Sequence, residues 1–393
     1  MKRIIIVGGG FAGVRVARKL RKQKDIAITV INDTGDFRYY PALYRAATGS
    51  KLGTARLSLE WMLLDNPRAD LVIGKAQSIN TSKRYIELAD STRLEYDFAV
   101  LALGSVTTYF NIEGLHDHSF GIKTAEEVIE LRRHLHESLT EKSQIERNYA
   151  IVGAGPSGVE LAGELGAYLQ GIERKHKIKN HKTTIWLIEA APRILPTMNP
   201  RVSKAAHKQL AKLGVKVSTD TQVKSETLKT LRTSVGSITT HTVIWTAGTA
   251  NNPFFSENED SFRLNERKRV IVDKHLQSSP NVYVIGDNAA TKFSGTALTA
   301  VRHGNFTAKD IISRIGHKKR PTKYENYPAY VVPAGKNWSV LQYRGIVLHG
   351  LVISWVRKVA DFMGYSDVLG IFRAITVWTN GEKPESTCVN CRR

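Results

Sequence analysis

The chain has 393 residues, enough for two or three domains that each bury a core of their own. At 42% hydrophobic and 24% charged residues it reads as globular, and no run of about 20 mainly apolar residues offers a membrane-spanning helix. Its 2 cysteines, Cys388 and Cys391, fall at the end of the chain, which excludes a disulfide framework and fits a reducing cytoplasm. Lys+Arg number 57 against 36 Asp+Glu, a net charge of +21, with basic clusters at 15–24, 174–182 and 317–323. That balance favours anionic partners such as phospholipid headgroups or acidic proteins. Aromatic residues do not interleave with the basic runs, which disfavours nucleic acid.

The first element predicted is a strand, since Ile4, Ile5, Ile6 and Val7 form a β-branched run; this also argues against a signal peptide. Gly8, Gly10 and Gly13 follow, around Phe11 and Ala12, and open a helix over 11–23. In such a turn the first glycine permits a tight exit from the strand and the second a close approach to a pyrophosphate. The third lets the helix pack on the sheet, and the helix N-terminus aims free amides at the phosphates. A strand at 27–31, a loop at 37–41 and a helical stretch ending at Trp61 come next. Residues 71–100 alternate as strands do, and a linker at 112–115 leads to an amphipathic helix over 126–139.

The same turn then recurs. After the apolar run 149–152 stand Gly153, Gly155 and Gly158, with Pro156 and Ser157 in the first helical turn, and the helix is expected to reach Lys177. A strand at 184–188 ends beside Glu189; 251–267 reads as loop, and 281–285 as a strand ending in Gly286 and Asp287. Two such turns in one chain predict two dinucleotides meeting, with electrons moving between a nicotinamide and a flavin. The expected fold is α/β, with two Rossmann-like dinucleotide-binding domains, one inserted in the other. Residues 1–115 and 268–320 form the first, 116–267 the second, and 321–393 a C-terminal region with amphipathic helices.

GGGFAG, PALYRAATGS, LALGSVTTYF, VGAGPSGVELAGEL, VIWTAG and VYVIGDNAA stand in the order found in FAD-dependent pyridine-nucleotide oxidoreductases. Residues 39–49, 101–110 and 153–165 resemble the type II NADH dehydrogenases, single-subunit enzymes that pass electrons from NADH to quinone. The resemblance implies that Gly8, Gly10, Phe11, Ala12 and Gly13 hold FAD, with Asn32, Asp33, Pro41, Ala76, Ala102, Leu103, Gly104, Gly286 and Asp287 completing its site. It implies that Gly153, Gly155, Pro156, Ser157, Gly158, Glu189, Ala247 and Gly248 hold NADH. A carboxylate at Glu189 favours NADH over NADPH, which Arg193 close by in sequence opposes. Glu160 and Glu164 share a helix face; the family places Glu160 beside the flavin, while a plain reading makes it a dipole-complementing charge.

The absence of cysteine before Cys388 removes disulfide-reductase and sulfide:quinone chemistry, and no metal site is expected. Cys388 and Cys391 read as a solvated tail, half a metal site or a mobile shuttle. Two departures from the family stand out. Asn32 replaces an acidic residue at the first ribose, and Leu298 and Arg302 stand where the family has a glutamine pair facing quinone, with Ala297 beside them in the acceptor site. His303 is a candidate proton source or a structural histidine. Val352, Trp355, Val356, Val359, Ala360 and Met363 form a helical stripe opposite Arg357, Lys358 and Asp361; Val368, Ile371, Phe372, Ile375 and Trp378 continue it with Arg373 outside. The stripe reads either as a membrane-interface anchor or as a core- or homodimer-packing face. The expected activity is FAD-dependent NADH oxidation with electrons passed to a quinone, without proton pumping, at the cytoplasmic face of the cell membrane. The alternatives are a soluble NADH-dependent reductase of an iron–sulfur protein or rubredoxin, and a nucleic-acid- or partner-binding flavoprotein with little turnover.

Overall fold

A computed structural model describes residues 1–381 apart from 65, 142–145, 180–181 and 326, so Cys388 and Cys391 lie outside the described residues. Strand β1 (Lys2–Val7) has Ile4 through Val7 buried, as a strand covered on both faces requires. It leads into α1 (Phe11–Leu20), β2 (Ile26–Asn32), α2 (Tyr40–Ala47), β3 (Ala69–Ile73) and β4 (Phe98–Leu101). β1 lies between β2 and β4, parallel to both, with Lys2 opposite Ile26 and Ile4 opposite Phe98. The chain then builds α3 (Ala125–Thr140), β5 (Asn148–Val152), α4 (Pro156–Lys175), β6 (Thr184–Ile188), β7 (Val215–Ser218) and β8 (Thr242–Trp245). These strands form a second parallel sheet in the order β7-β6-β5-β8.

The chain returns to the first sheet through β9 (Gln277–Ser279) and β10 (Val282–Val284), giving the order β9-β10-β4-β1-β2-β3. α5 (Ala297–Ile315) packs against α1. In both sheets the first strand, β1 or β5, has its successor on one side and a later strand on the other. The strand order therefore reverses above its C-terminal end, where open α/β sheets bind ligands. A two-stranded ribbon of Ser105–Thr107 with Thr249–Asn251 ties the two units together at those ends.

After α5 come β11 (Tyr330–Pro333), β12 (Ser339–Tyr343) and β13 (Ile346–Gly350), an antiparallel sheet, then α6 (Leu351–Leu369) and α7 (Ile371–Gly381). Among the described residues no helix is long and apolar enough to cross a membrane.

Several boundaries differ from expectation. α1 stops at Leu20 and α4 at Lys175, short of the expected ends. The stretch 37–41 is not a loop: Asp36–Arg38 is a strand and Pro41 opens α2, where its fixed φ suits the first turn. The helical stretch to Trp61 breaks after α2, because Gly49 takes φ +102°, into strand Arg56–Ser58 and helix Leu59–Leu63. Within 251–267 a short helix, Phe254–Glu257, packs Phe254 and Phe255 against Phe262.

The largest correction concerns α6 and α7. Val352, Trp355, Val359 and Met363 are 74%, 61%, 57% and 61% exposed, and Phe372 85%. Asp361 is buried, and Arg373 turns inward, its guanidinium donating to the Trp61 carbonyl at 2.6 Å and stacking over the Trp61 ring. Arg357, Asp361 and Arg373 thus face the protein and the α6 part of the apolar stripe faces out, which overturns the reading of that part as core packing, whereas Val368 is buried. The reason is an ionic cluster beneath α6 that needs Arg357 and Asp361.

Candidate dinucleotide and electron-transfer site

The two glycine turns are built alike. Gly8 takes φ +106°, and a Cβ there would stand 2.2 Å from the Ala102 carbonyl oxygen; Gly153 takes φ +99°, and a Cβ would stand 2.5 Å from the Ala247 nitrogen. A Cβ on Gly13 would lie 2.0 Å from the Gly8 oxygen, and one on Gly158 1.9 Å from the Gly153 oxygen, so each helix begins tight against its own turn. At Gly10 and Gly155, by contrast, nothing lies within 4 Å of the Cβ position. These two glycines are the N-caps of α1 and α4, and neither helix has a side-chain cap or an acidic residue in its first turn. Unpaired amides, a positive dipole end and clear space together fit a diphosphate at each turn.

The residues beside each turn also correspond. The Asn32 Oδ1 accepts the Gly9 amide at 2.8 Å, and the Glu189 Oε2 accepts the Ala154 amide at 2.7 Å. Glu189 also accepts from Ala191 through Oε1 at 3.0 Å, whereas the Asn32 Nδ2 donates to the Thr34 carbonyl at 2.8 Å. Asp33 is exposed, 3.9 Å from Arg38. Arg193 points its guanidinium at the Leu195 and Pro196 carbonyls and the Ser203 hydroxyl, 3.1, 2.5 and 2.7 Å away, so those acceptors hold it. Pro156 and Ser157 are exposed on the first turn of α4, while Ala76 is buried on strand Ala76–Asn80.

The ends of β4, β8 and β10 meet at Gly104, Gly248 and Asp287. Gly104 takes φ +72° and exchanges two hydrogen bonds with the Asn288 side chain, at 2.9 and 2.8 Å. Asn288 also donates to Asn251 at 2.7 Å, joining β4, the ribbon and β10. Ser105 donates to Asp287 Oδ2 at 3.1 Å. Leu103 is half-buried alongside, and Gly248 lies against Phe110. Ser105 closes the 102–105 stretch that the resemblance assigns to the flavin domain; sequence reasoning gave no role to Asn288, although it adjoins the Gly286–Asp287 signature. His303 resolves as structural: its Nδ1 accepts the Gly286 amide at 2.9 Å, and burial pushes its pKa down to about 4. Burial therefore favours its neutral form at physiological pH.

Glu160 lies on the second turn of α4, past the first turn that a dipole-complementing charge would occupy, and faces a buried ionic cluster. Arg357 Nη2 stands 4.0 Å from Glu160 and 3.2 Å from Asp361; Arg45 Nη2 stands 3.1 Å from the same aspartate. The Tyr39 hydroxyl donates to the Asp361 carbonyl at 3.1 Å, and its ring stacks on Tyr365 at 3.9 Å. Burial raises the Glu160 pKa to about 7 despite the opposing Arg357, with Asp361 adding to the rise. Burial raises Glu164 too, against Arg45 and Lys336. Arg45, Tyr39, Arg357 and Asp361 were absent from the sequence-based site. The signal available was an Arg–Asp pair at i, i+4 inside an apolar helix.

Ala297, Leu298 and Arg302 occupy the first two turns of α5, all half-buried, and Leu298 and Arg302 share a face. Thr296 caps this helix, accepting the Thr299 amide at 3.2 Å, and the first turn carries no acid.

Residues 2–304 match the pyridine nucleotide-disulphide oxidoreductase family. The type II NADH:quinone oxidoreductase NdhA of Mycobacterium tuberculosis is 30% identical over 311 residues, 72% of this chain and 66% of its own length. The type II NADH:quinone oxidoreductase of Staphylococcus saprophyticus is 26% identical over 385 residues, 92% of this chain and 94% of its own. The structure of NDH2 from Plasmodium falciparum in complex with NADH has the same fold, with a TM-score of 0.85 at 17% identity over 96% of this chain and 97% of that one. The matched turns, the two parallel sheets and these likenesses agree with the expected α/β architecture and relationship: the chain belongs to the pyridine nucleotide-disulphide oxidoreductase family, related to type II NADH:quinone oxidoreductases and with no cysteine in its matched region.

Proposed function

We propose that this protein oxidises NADH through a bound FAD and delivers the electrons to a quinone at a membrane surface. The carrying observation is the pair of matched glycine turns, each at the reversal point of its own parallel sheet and joined by one ribbon. When bound, the flavin accepts a hydride from the dihydronicotinamide and releases electrons to the acceptor. On this reading residues 1–115 and 268–320 carry FAD, 116–267 carry NADH, and 321–393 meet the membrane.

The chain's own part is positioning. The amides at the start of α1 hold the FAD diphosphate, Gly104, Gly286 and Asp287 frame its ribityl chain, and those of α4 hold the NADH diphosphate. The Glu189 carboxylate, with Arg193 held elsewhere, disfavours a 2′-phosphate. Exchange of Glu189 for Gln keeps an acceptor for Ala154 and removes the charge. The kcat/KM ratio of NADH to NADPH is expected to fall about tenfold, the equivalent of 1.4 kcal/mol; an unchanged ratio would place the selectivity elsewhere. Arg302 is the donor for a quinone carbonyl, and the uncapped-by-acid N-terminus of α5 favours negative charge beside it.

Among the residues of this ionic cluster, Glu160 has a pKa raised by burial to about 7, inside the working range. It is protonated below pH 7 and ionised above, beside Arg357. Glu160→Gln should remove an inflection near pH 7 from kcat/KM for quinone. Stability supplies an independent check. The folded pKa lies above the ordinary glutamate value, so Glu160 contributes stability at low pH that is lost as pH rises through about 7. The Gln variant should match the wild type near pH 5 and exceed it near pH 9, by at most on the order of 3 kcal/mol. Equal melting curves at both pH values would contradict the shift.

The exposed stripe of α6 and α7 supports a membrane surface as partner, helped by Lys358 over Trp355 and by an apolar cleft lined by Val359, Phe362, Ile375 and Trp378. The deciding experiment is steady-state NADH oxidation with a short-chain quinone against a small iron–sulfur protein. Quinone turnover after anaerobic bleaching of the flavin by NADH is expected. Preference for the iron–sulfur protein would establish the soluble reductase instead, and no bleaching would leave the partner-binding flavoprotein.

A further inference from the structure

Lys123 lies between Phe120, whose backbone bridges to Ile244 of β8, and the start of α3. Its amide and that of Thr124 both donate to the Glu127 Oε2, at 2.5 and 3.1 Å, while the Thr124 Oγ1 accepts the Glu127 amide at 3.1 Å. This reciprocal box completes the helix cap without the lysine side chain. Yet the Lys123 Nζ is shut off from water and has no hydrogen-bond partner. Two carboxylates act on it, Glu127 on the first turn of α3 and Asp287 just past β10 in the other unit. Burial pulls the lysine pKa below its ordinary value, and those two carboxylates oppose the pull.

An ammonium has three protons to donate, and burying it with none used costs several kcal/mol. Such a group is retained where an anion completes it. Asp287 shares the Ser105 hydroxyl and belongs to the flavin frame on the functional reading above. The lysine of the nicotinamide half of the chain is therefore buried within the electrostatic range of the flavin frame.

We propose that Lys123 is a flavin-site residue whose ammonium donates to an anionic group of the bound flavin dinucleotide beside Asp287. The inference rests on flavin binding at the first glycine turn. Two anions present the same chemistry: the diphosphate, charged in both redox states, and the reduced ring, charged only after electrons arrive. Lys123 acts by holding and neutralising that charge, and is a positioning residue for electron transfer.

The test compares wild-type holoprotein with Lys123→Met and Lys123→Arg, reading flavin midpoint potential against a reference dye and FAD dissociation by fluorescence. If the ammonium serves the reduced ring, the Met variant shifts the reduction equilibrium about tenfold toward oxidised flavin, about 30 mV for a two-electron couple. If it serves the diphosphate, the potential stays and the FAD dissociation constant rises about tenfold. Arginine restores most of either change. Melting of the flavin-stripped forms guards against a merely structural role: removing an unpartnered buried charge leaves the Met variant at least as stable as wild type. Unchanged potential and unchanged FAD affinity in a folded Met variant overturn the inference while leaving the proposed function intact. A wild type that binds no FAD overturns both.

Discussion

Gly8→Ala is expected to purify without flavin and to melt well below the wild type. The methyl would stand 2.2 Å from the Ala102 carbonyl oxygen, which is backbone and cannot swing aside, at a residue held at φ +106°. Placing an alanine in such a conformation costs roughly 1–3 kcal/mol before any overlap. Relieving the overlap means parting β1 from the end of β4, which separates the turn from Gly104 and Asn288. Against a total stability of about 5–15 kcal/mol this is a large loss, and it is concentrated where the dinucleotide is held. Gly153→Ala meets the Ala247 amide at 2.5 Å and should act on the other half, sparing flavin content and weakening NADH. Gly53→Ala has nothing within 4 Å and serves as the neutral control. The flavin-to-protein absorbance ratio and the thermal midpoint read all three. A Gly8→Ala protein with full flavin content would remove the first turn from the site.

Replacing Val352, Trp355 and Phe372 together by Asp, Glu and Glu is expected to abolish association with anionic vesicles while leaving oxidation of NADH by a water-soluble quinone in place. The three are 74%, 61% and 85% exposed and lie on the outward faces of α6 and α7, so the charges meet water in the free protein and cost the fold little. A membrane would have to desolvate them, and the anionic surface would repel them. Co-sedimentation with vesicles measures the loss. Wild-type binding should weaken but persist at high salt, because screening removes the basic contribution and spares the apolar one. Equal pelleting of variant and wild type, with a fall from dimer to monomer on a sizing column, would show that a second copy covers this face.

These two experiments fall on opposite kinds of inference. The glycine turns, the strands that feed them, the recurrence of the unit and the position of Glu189 were all legible in the residues alone. Each depends on backbone conformation and sequence neighbours within a few positions, and a glycine before a helix after a β-branched run states its own geometry. Asn32 likewise declared its place, though its side chain proves to be engaged by the Gly9 amide of the first glycine turn and by the Thr34 carbonyl of its own.

The side of a helix that faces the protein is a different kind of quantity. Along 351–381 the apolar periodicity was plain but left open whether the stripe packs inward or faces out, and most of it points outward. Arg357 and Asp361 turn inward because Arg45 on α2 and Glu160 on α4 wait there, residues far away in sequence that complete the ion pairs. The neutral state of His303, the Asn288 junction and the unpartnered ammonium of Lys123 likewise arise from contacts between distant segments. By itself, then, the sequence determined two dinucleotide turns, their supporting strands and the family. Only the tertiary structure decided which charges are buried together and which apolar face is left outside, because burial is a property of how segments meet and periodicity records only that a helix has two sides.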